Sequence, residues 1–342
     1  MRYVVVGAGA IGGTLGAYMA RGGEDVGMVD IAADHVAAIN ANGLTIRGYA
    51  ETFSVPVQAF ELNALPDNLE CVILAVKAPA TAAAMDAIAA KLAPEGMVVS
   101  AQNGLNELII SRMVGAERTI GCFINFSADY LEPGLIHFAG PGSFYIGELD
   151  GRITPRLLAL QQAFSHWDGG SVRTTDNIWG YLWGKQGYGA MLFATAVSNA
   201  TMADAIDRYR AVMIAICREV LAVARAEGVA PLGFDGYEPD LLGGDDPTAI
   251  NESLDRLIAI RRRDQKTHSG IWRDLAIRKR RTEVDAHFGP ILERAAAHGI
   301  AVPVLTRMVE CIHAIEDGRL QLADANLDQL AALCGGTRYP VS

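Results

Sequence analysis

The sequence predicts an α/β protein in two parts, a parallel-stranded sheet over residues 1–173 followed by an all-helical domain over residues 174–342. Three observations carry this. Short apolar runs alternate with Ala-rich segments through the first half, the pattern of strands joined by crossover helices. The first strand–helix–strand unit turns on a glycine-rich bend. Beyond Val172-Arg173-Thr174-Thr175-Asp176 the apolar spacing becomes helical and stays so, with Asp176 placed to cap the first helix.

The opening unit is the most specific. Tyr3 to Val6 is an apolar strand, Gly7-Ala8-Gly9-Ala10-Ile11-Gly12 follows, an Ala-rich helix comes next, and Val26 to Val29 ends on Asp30. Strand, G-x-G-x-x-G turn, helix, strand and acid, in that order, are the dinucleotide-binding fingerprint of a Rossmann domain. Gly7 permits the tight turn, Gly9 the approach of a pyrophosphate, and Gly12 close packing of helix on strand. Ala8, Ala10 and Ile11 complete a loop whose N–H groups open the helix and face the phosphates. Asp30 would accept hydrogen bonds from the adenosine ribose and repel a 2′-phosphate. Ile31-Ala32-Ala33-Asp34 supplies no cation to neutralise such a phosphate. The expected cofactor is therefore NAD(H) in preference to NADP(H). The competing reading of Asp30 is a cap on the next helix.

Further along, Cys71 to Val76 reads as a buried strand, residues 80–92 as a helix, Met97 to Ser100 as a strand and Thr119 to Phe126 as another. Gln102-Asn103-Gly104 follows a strand's carboxyl end, where ligands of open α/β sheets bind. Pro133-Gly134 and Pro141-Gly142 punctuate residues 130–150 and predict antiparallel strands closing the domain. In the second half, residues 205–228 predict one long helix through Ile206, Val212, Ile216, Val220 and Val223. Residues 232–250, with glycine, proline and several acids, predict a surface loop. Residues 251–264 and 271–298 return to helix, and Asp317-Gly318 marks a helix end.

Composition narrows the function. A net charge of −10 over 342 residues argues against nucleic acid as a partner. The basic run Arg278-Lys279-Arg280-Arg281 reads as a solvated helix face or end. Cys71, Cys122, Cys217, Cys311 and Cys334 form no C-x-x-C pair, which suits a reducing, cytoplasmic setting and offers no zinc cage or other metal site. Residues 3–20 are uncharged and superficially like a signal peptide, but glycine interrupts them repeatedly, and the dinucleotide turn explains the breaks. No apolar run is long enough to predict a membrane span.

Two blocks in the second half, Trp183-Gly184-Lys185 and Thr282-Glu283-Val284-Asp285 followed by His298-Gly299-Ile300-Ala301-Val302-Pro303, complete a set with Gly7–Gly12 and Gln102-Asn103-Gly104. Together they resemble the ketopantoate reductase (2-dehydropantoate 2-reductase) family over nearly the whole chain. The resemblance implies a Rossmann domain, a helical second domain and an active site in the cleft between them. It implies that Lys185 donates a proton to the substrate carbonyl oxygen as hydride arrives, and that Glu283 touches the substrate hydroxyl and the lysine. It places Asn103 near the nicotinamide and the reacting carbon, Ser269 against the substrate carboxylate, and Lys77 near cofactor and substrate. These roles suit the reduction of a 2-keto acid, which needs a proton source and stabilisation of charge on oxygen.

Each residue also has a plainer reading. Lys185 could be a snorkelling surface lysine, Glu283 an ion-pair partner of Arg280 or Lys279, Asn103 a turn residue, Ser269 a helix cap and Lys77 a strand-end charge. His268 could contact an anion or lie on the surface; Met191 and Phe193 read as core. The chain also departs from the family pattern. Gly189 stands where a substrate-binding asparagine is usual, Phe193 replaces a further polar position, the segment from Ser269 to Glu283 is one residue longer, and Asp30 replaces the basic residue favoured by NADPH-using members.

The expected activity is hydride transfer between a nicotinamide and a small 2-keto or 2-hydroxy acid, by a homodimer. Its variants are an NAD-dependent D-2-hydroxyacid dehydrogenase acting on bulkier acids and a non-catalytic NAD-binding regulator. The losses at Gly189 and Phe193 favour bulkier acids over ketopantoate, since a site relieved of buried polar groups no longer demands a substrate hydroxyl.

Overall fold

Tyr3–Val6 forms β1, buried along its whole length in the interior of the main sheet. The computed structural model describes residues 2–263 and 266–334, and its internal contacts separate a first unit ending at Ile178 from a second beginning at Trp179. In the first unit β1 leads to α1 (Ala10–Arg21), β2 (Val26–Asp30), α2 (Ala33–Asn42), β3 (Leu44–Arg47), β4 (Thr52–Val55), β5 (Gln58–Glu61), β6 (Leu69–Leu74), α3 (Thr81–Ala89) and β7 (Leu92–Ser100). Then come α4 (Glu107–Val114), β8 (Thr119–Ile124), β9 (Ser127–Glu132), β10 (Leu135–Gly140), β11 (Phe144–Glu148), α5 (Pro155–Phe164) and β12 (Val172–Thr174).

The eight-stranded sheet runs β12-β11-β8-β7-β6-β1-β2-β5. From β8 to β5 every pairing is parallel, and β11 is antiparallel to β8. The chain leaves β1 toward β2 on one side and returns through β6 on the other. That reversal opens a crevice at the carboxyl ends of β1 and β6. Valine, isoleucine and leucine face both sides of these strands because both sides are covered. Val5, Ile73 and Leu15 lie in one buried cluster, and Val4, Leu74 and Ile88 in the other. Burial of each such side chain stabilises the fold by about 1.5–3 kcal/mol relative to exposure.

Residues 130–150 hold antiparallel strands, as expected, and β11 pairs with β8 in the main sheet. β9 and β10 do pair antiparallel, but they leave the main sheet and join β3 and β4 in a separate four-stranded sheet, β4-β3-β10-β9. Ile46, Ile136 and Phe138 of that sheet share a cluster with Leu15 and Met19 of α1. The Pro/Gly punctuation showed the turns and could not show which sheet the strands enter.

The second unit is helical: α6 (Ile178–Thr195, its first residue in the first unit), α7 (Met202–Arg208), α8 (Arg210–Ala226), α9 (Pro239–Leu242), α10 (Pro247–Arg263), α11 (Gly270–Ala276), α12 (Val284–Ala297), α13 (Pro303–Glu316) and α14 (Asp324–Ala331). α6 starts two residues beyond Asp176, so Asn177 rather than the aspartate immediately precedes it. The helix expected over 205–228 is two helices. Tyr209 breaks it at φ −119°, ψ 41°, and its hydroxyl donates to Asp328 Oδ1 at 3.0 Å.

Two further expectations are corrected. Residues 232–250 are not a surface loop. Phe234, Tyr237 and Leu242 are buried, Phe234 bridges Tyr237, and the segment contains α9 and the start of α10. Leu232 N–H donates to Gly180 O at 2.8 Å, and a Cβ on Gly184 would lie 2.1 Å from Leu232 O. The glycine of Trp183-Gly184-Lys185 thus lets this segment pack on α6. The predicted helix over 271–298 is interrupted between α11 and α12. Asp274 accepts from Arg278 Nη1 at 2.6 Å and Arg280 Nε at 3.0 Å, and Lys279 takes φ +50°. The basic run is therefore a folded, ion-paired connection past a helix end. The end expected at residue 264 lies outside the described residues, as does the tail of the second domain. Among the described residues no helix is long and apolar enough to cross a membrane.

Candidate cofactor and active-site residues

Gly7 turns the chain off β1 at φ +96°, and a Cβ there would lie 2.7 Å from Val76 N. Only glycine fits so close to the β6 exit. A Cβ on Gly12 would stand 2.1 Å from Gly7 O and 2.8 Å from Val5 Cγ1, so α1 sits directly on the turn. Gly9 is different. It occupies the N-cap of α1 without any side-chain cap, and a Cβ there would meet nothing within 4 Å. The helix start thus carries no side-chain cap and no Cβ to crowd it, as an anion site at a helix N-terminus requires.

The neighbouring strand ends bring other expected residues to the same crevice. Ala75 N–H donates to Val6 O at 2.8 Å, which sets the exposed Lys77 just beyond the glycine turn. Ala101 N–H donates to Leu74 O at 2.8 Å and leads into the loop carrying exposed Asn103. A polar network that the sequence did not reveal holds this loop. Gln102 Nε2 donates to Val76 O and Thr81 Oγ1, both at 2.8 Å; Thr81 Oγ1 donates to Asn106 Oδ1 at 2.9 Å; Asn106 Nδ2 donates to Asn103 O at 2.7 Å. These partners come from three chain segments, so no local spacing announces them.

Asp30 ends β2, and its Oδ1 accepts from Ala32 N–H at 3.0 Å. That bond holds the residue before α2 and is not a helix cap: Ala32 is the N-cap of α2, without a side-chain cap bond. The register also sets Asp30 opposite Glu61 of β5, a second acid at this end of the sheet.

In the second unit, Lys185 is partly buried on α6 and Gly189 lies one turn later. A Cβ on Gly189 would meet nothing within 4 Å. Glu283 is the residue at the start of α12, and the turn before it is anchored by Glu316, whose side chain is 2 % exposed and accepts from Thr282 N at 2.7 Å and Thr282 Oγ1 at 2.8 Å. Arg280, one expected rival partner of Glu283, is engaged by Asp274. One turn along α12, His287 Nδ1 lies 3.0 Å from Gln186 Oε1. Burial, and then the nearby Lys185 charge, push His287 down to about 4, so it is neutral at pH 7. His287 was missed in the sequence, although its i,i+4 spacing from Glu283 was legible.

Ser269 caps α11, its Oγ accepting from Trp272 N–H at 3.2 Å. That cap uses a lone pair and leaves the hydroxyl proton to donate. His268 stacks on Trp272 at 4.1 Å and bonds Thr267 and the Asn199 carbonyl, a structural setting. Phe193 and Met191 are buried, and Tyr188 packs on Phe234 and Tyr237. The His298–Pro303 block is a helix stop and start. Gly299 takes φ +64°, Pro303 opens α13, and Glu219 accepts from Val304 N at 3.0 Å and Leu305 N at 2.7 Å. Among the described residues no cluster of three or more His, Cys, Asp or Glu could hold a metal ion.

A dinucleotide-type turn at the switch point of a parallel sheet, followed by a helical unit, is the architecture of a nucleotide-binding protein. Comparison with known proteins narrows it. Residues 3–151 match the family described as ketopantoate reductase PanE/ApbA, and residues 177–316 its C-terminal domain. The chain belongs to the ketopantoate reductase family. It is 28% identical over 322 residues to a 2-dehydropantoate 2-reductase of Halobacterium salinarum, covering 91% of this chain and 98% of the relative. The crystal structure of a PanE/ApbA family ketopantoate reductase from Ralstonia eutropha superposes with a TM-score of 0.77 at 27% identity, covering 93% of this chain and 99% of that one. A D-mandelate dehydrogenase solved with NADH and anilino(oxo)acetate has the same fold, with a TM-score of 0.77 at 22% identity and the same coverage.

Proposed function

We propose that this protein is an NADH-dependent reductase of 2-keto acids, with ketopantoate as the first substrate to test. The observation that carries the reading is the open space at Gly9 over an uncapped helix start, at the strand ends that also present Lys77 and Asn103. The space and the N–H groups fit a pyrophosphate. Asp30 keeps an oxygen beyond its bond to Ala32 for the ribose hydroxyls, and with Glu61 opposite it sets negative charge against a 2′-phosphate.

A nicotinamide dinucleotide, when bound, supplies the hydride. Lys185 donates the proton to the carbonyl oxygen and stabilises the charge developing there. Glu283 orients the ammonium and accepts from the nascent hydroxyl. Neutral His287 adds no positive charge beside Lys185, so the lysine keeps its proton until it is needed. Asn103 and Ser269 bind substrate polar groups, and Lys77 neutralises an anionic one. The unbridged cysteines support a reducing, cytoplasmic place of action. A homodimer is the assembly we expect.

The test is NADH oxidation with ketopantoate and a panel of 2-keto acids. Turnover with at least one, abolished in Lys185→Ala, supports the reading. Dinucleotide binding without turnover on any of them would make the protein a sensor instead. One observation favours bulkier acids over ketopantoate: the room around Gly189, one turn from Lys185.

A further inference from the structure

His35 is 0 % exposed on α2 and bonded through both ring nitrogens. Gly134 N–H, in the turn between β9 and β10, donates to Nδ1 at 2.9 Å. Nδ1 is thus the acceptor, the ring proton sits on Nε2, and Nε2–H donates to Ala8 O at 2.9 Å. Ala8 is the residue between the first two glycines of the loop. Its carbonyl points into the fold, since a Cβ on Gly13 would come within 2.6 Å of Ala8 O. The Ala8–Gly9 peptide is trans, as are the others described. In a planar trans peptide the N–H points opposite to the C=O. A carbonyl drawn inward by His35 therefore turns the Gly9 N–H outward, into the space above α1.

We infer that His35 is a positioning residue for the dinucleotide: as the neutral Nε2–H tautomer it fixes the Ala8–Gly9 peptide so that Gly9 N–H is presented to the pyrophosphate. This rests on the proposed cofactor. Without the anchor the peptide can rotate, losing a donor and turning a carbonyl toward phosphate oxygens, which repels them. The edge-to-face contact with Tyr130, centroids 5.1 Å apart, keeps the ring upright between its two partners.

Two isosteres separate the bonds. In His35→Gln the amide nitrogen replaces Nε2 and keeps the bond to Ala8; in His35→Asn the amide oxygen replaces Nδ1 and keeps the bond to Gly134. Each leaves one buried group unpaired, so their losses of thermal stability should be similar. NADH affinity, read by calorimetry, should stay within about three-fold of wild type in His35→Gln and fall about ten-fold or more in His35→Asn. Nitrogen-15 spectra of wild type should show the Nε2–H tautomer and a Gly9 amide that shifts when NADH is added, a readout that needs neither variant to fold. Equal affinity losses in the two variants, an Nδ1–H tautomer or an unmoved Gly9 amide would overturn the inference while leaving the cofactor assignment intact. If wild type binds no dinucleotide, the proposed function fails and the inference with it.

Discussion

In the proposed function Asp30 serves two demands with one carboxylate. Oδ1 accepts from Ala32 N–H, and the proposal gives the other oxygen to the ribose hydroxyls. Asp30→Ala should raise the Kd for NADH about ten-fold and bring NADPH toward parity, because a charge-assisted bond and a repulsion disappear together. Fluorescence titration with both cofactors checks this, and a wild type preferring NADPH would refute the reading. Lys185→Ala should lower kcat by about 10²–10⁴-fold with little change in NADH affinity, as expected for a lost proton donor. Stopped-flow hydride transfer decides it, and retained turnover would remove Lys185 from the mechanism. Gly189→Asn tests the pocket. A Cβ there would meet nothing within 4 Å. Restoring a polar contact should raise kcat/KM for ketopantoate relative to a bulky 2-keto acid by about ten-fold. An unchanged ratio would show that Gly189 does not face the substrate.

At the scale of elements, α12 joins the candidate acid to the fold. Glu316 holds Thr282, Thr282 Oγ1 accepts from Val284 N–H at 3.3 Å, and Glu283 and His287 follow one turn apart. This part of the unit should be acid-sensitive. His287 titrates near 6.5 when unfolded and near 4 when folded. Between those values the unfolded chain binds more protons, so stability rises with pH through the window. The stabilisation is complete above about 6.5 and is lost as the pH falls toward 4. One group sets a slope of at most about 1.4 kcal/mol per pH unit. Urea unfolding of wild type and His287→Gln at pH 7 and pH 5 should show a gap that narrows in acid. A constant gap would mean that His287 titrates normally.

For the molecule as a whole, cofactor binding and stability are linked. A ligand at 100 times its Kd adds about 2.7 kcal/mol to the state that binds it. In a unit the size of the first, that corresponds to a rise in Tm of roughly 5–10 °C. Calorimetry with NADH should show that shift, and NADPH at the same concentration should give a smaller one. Equal shifts would contradict the role given to Asp30 and Glu61.

The α/β class, the glycine turn and Asp30 were readable from order along the chain because each is a local demand: a strand period, a positive φ, an acid after β2. Lys185 and Glu283 came from resemblance, since a lone lysine on a helix is ordinarily a surface residue. The structure decided everything that depends on distant segments meeting. It sent β9 and β10 into a second sheet with β3 and β4, and buried Phe234 and Tyr237 against α6 where acids and glycines had suggested a loop. It joined Gln102, Thr81 and Asn106 behind Asn103, and His35 to Ala8 across 27 positions of sequence. Periodicity and turn chemistry are properties of neighbours in sequence, which a linear reading captures. Hydrogen-bond partners and close packing are properties of neighbours in space, and only the folded chain brings them together.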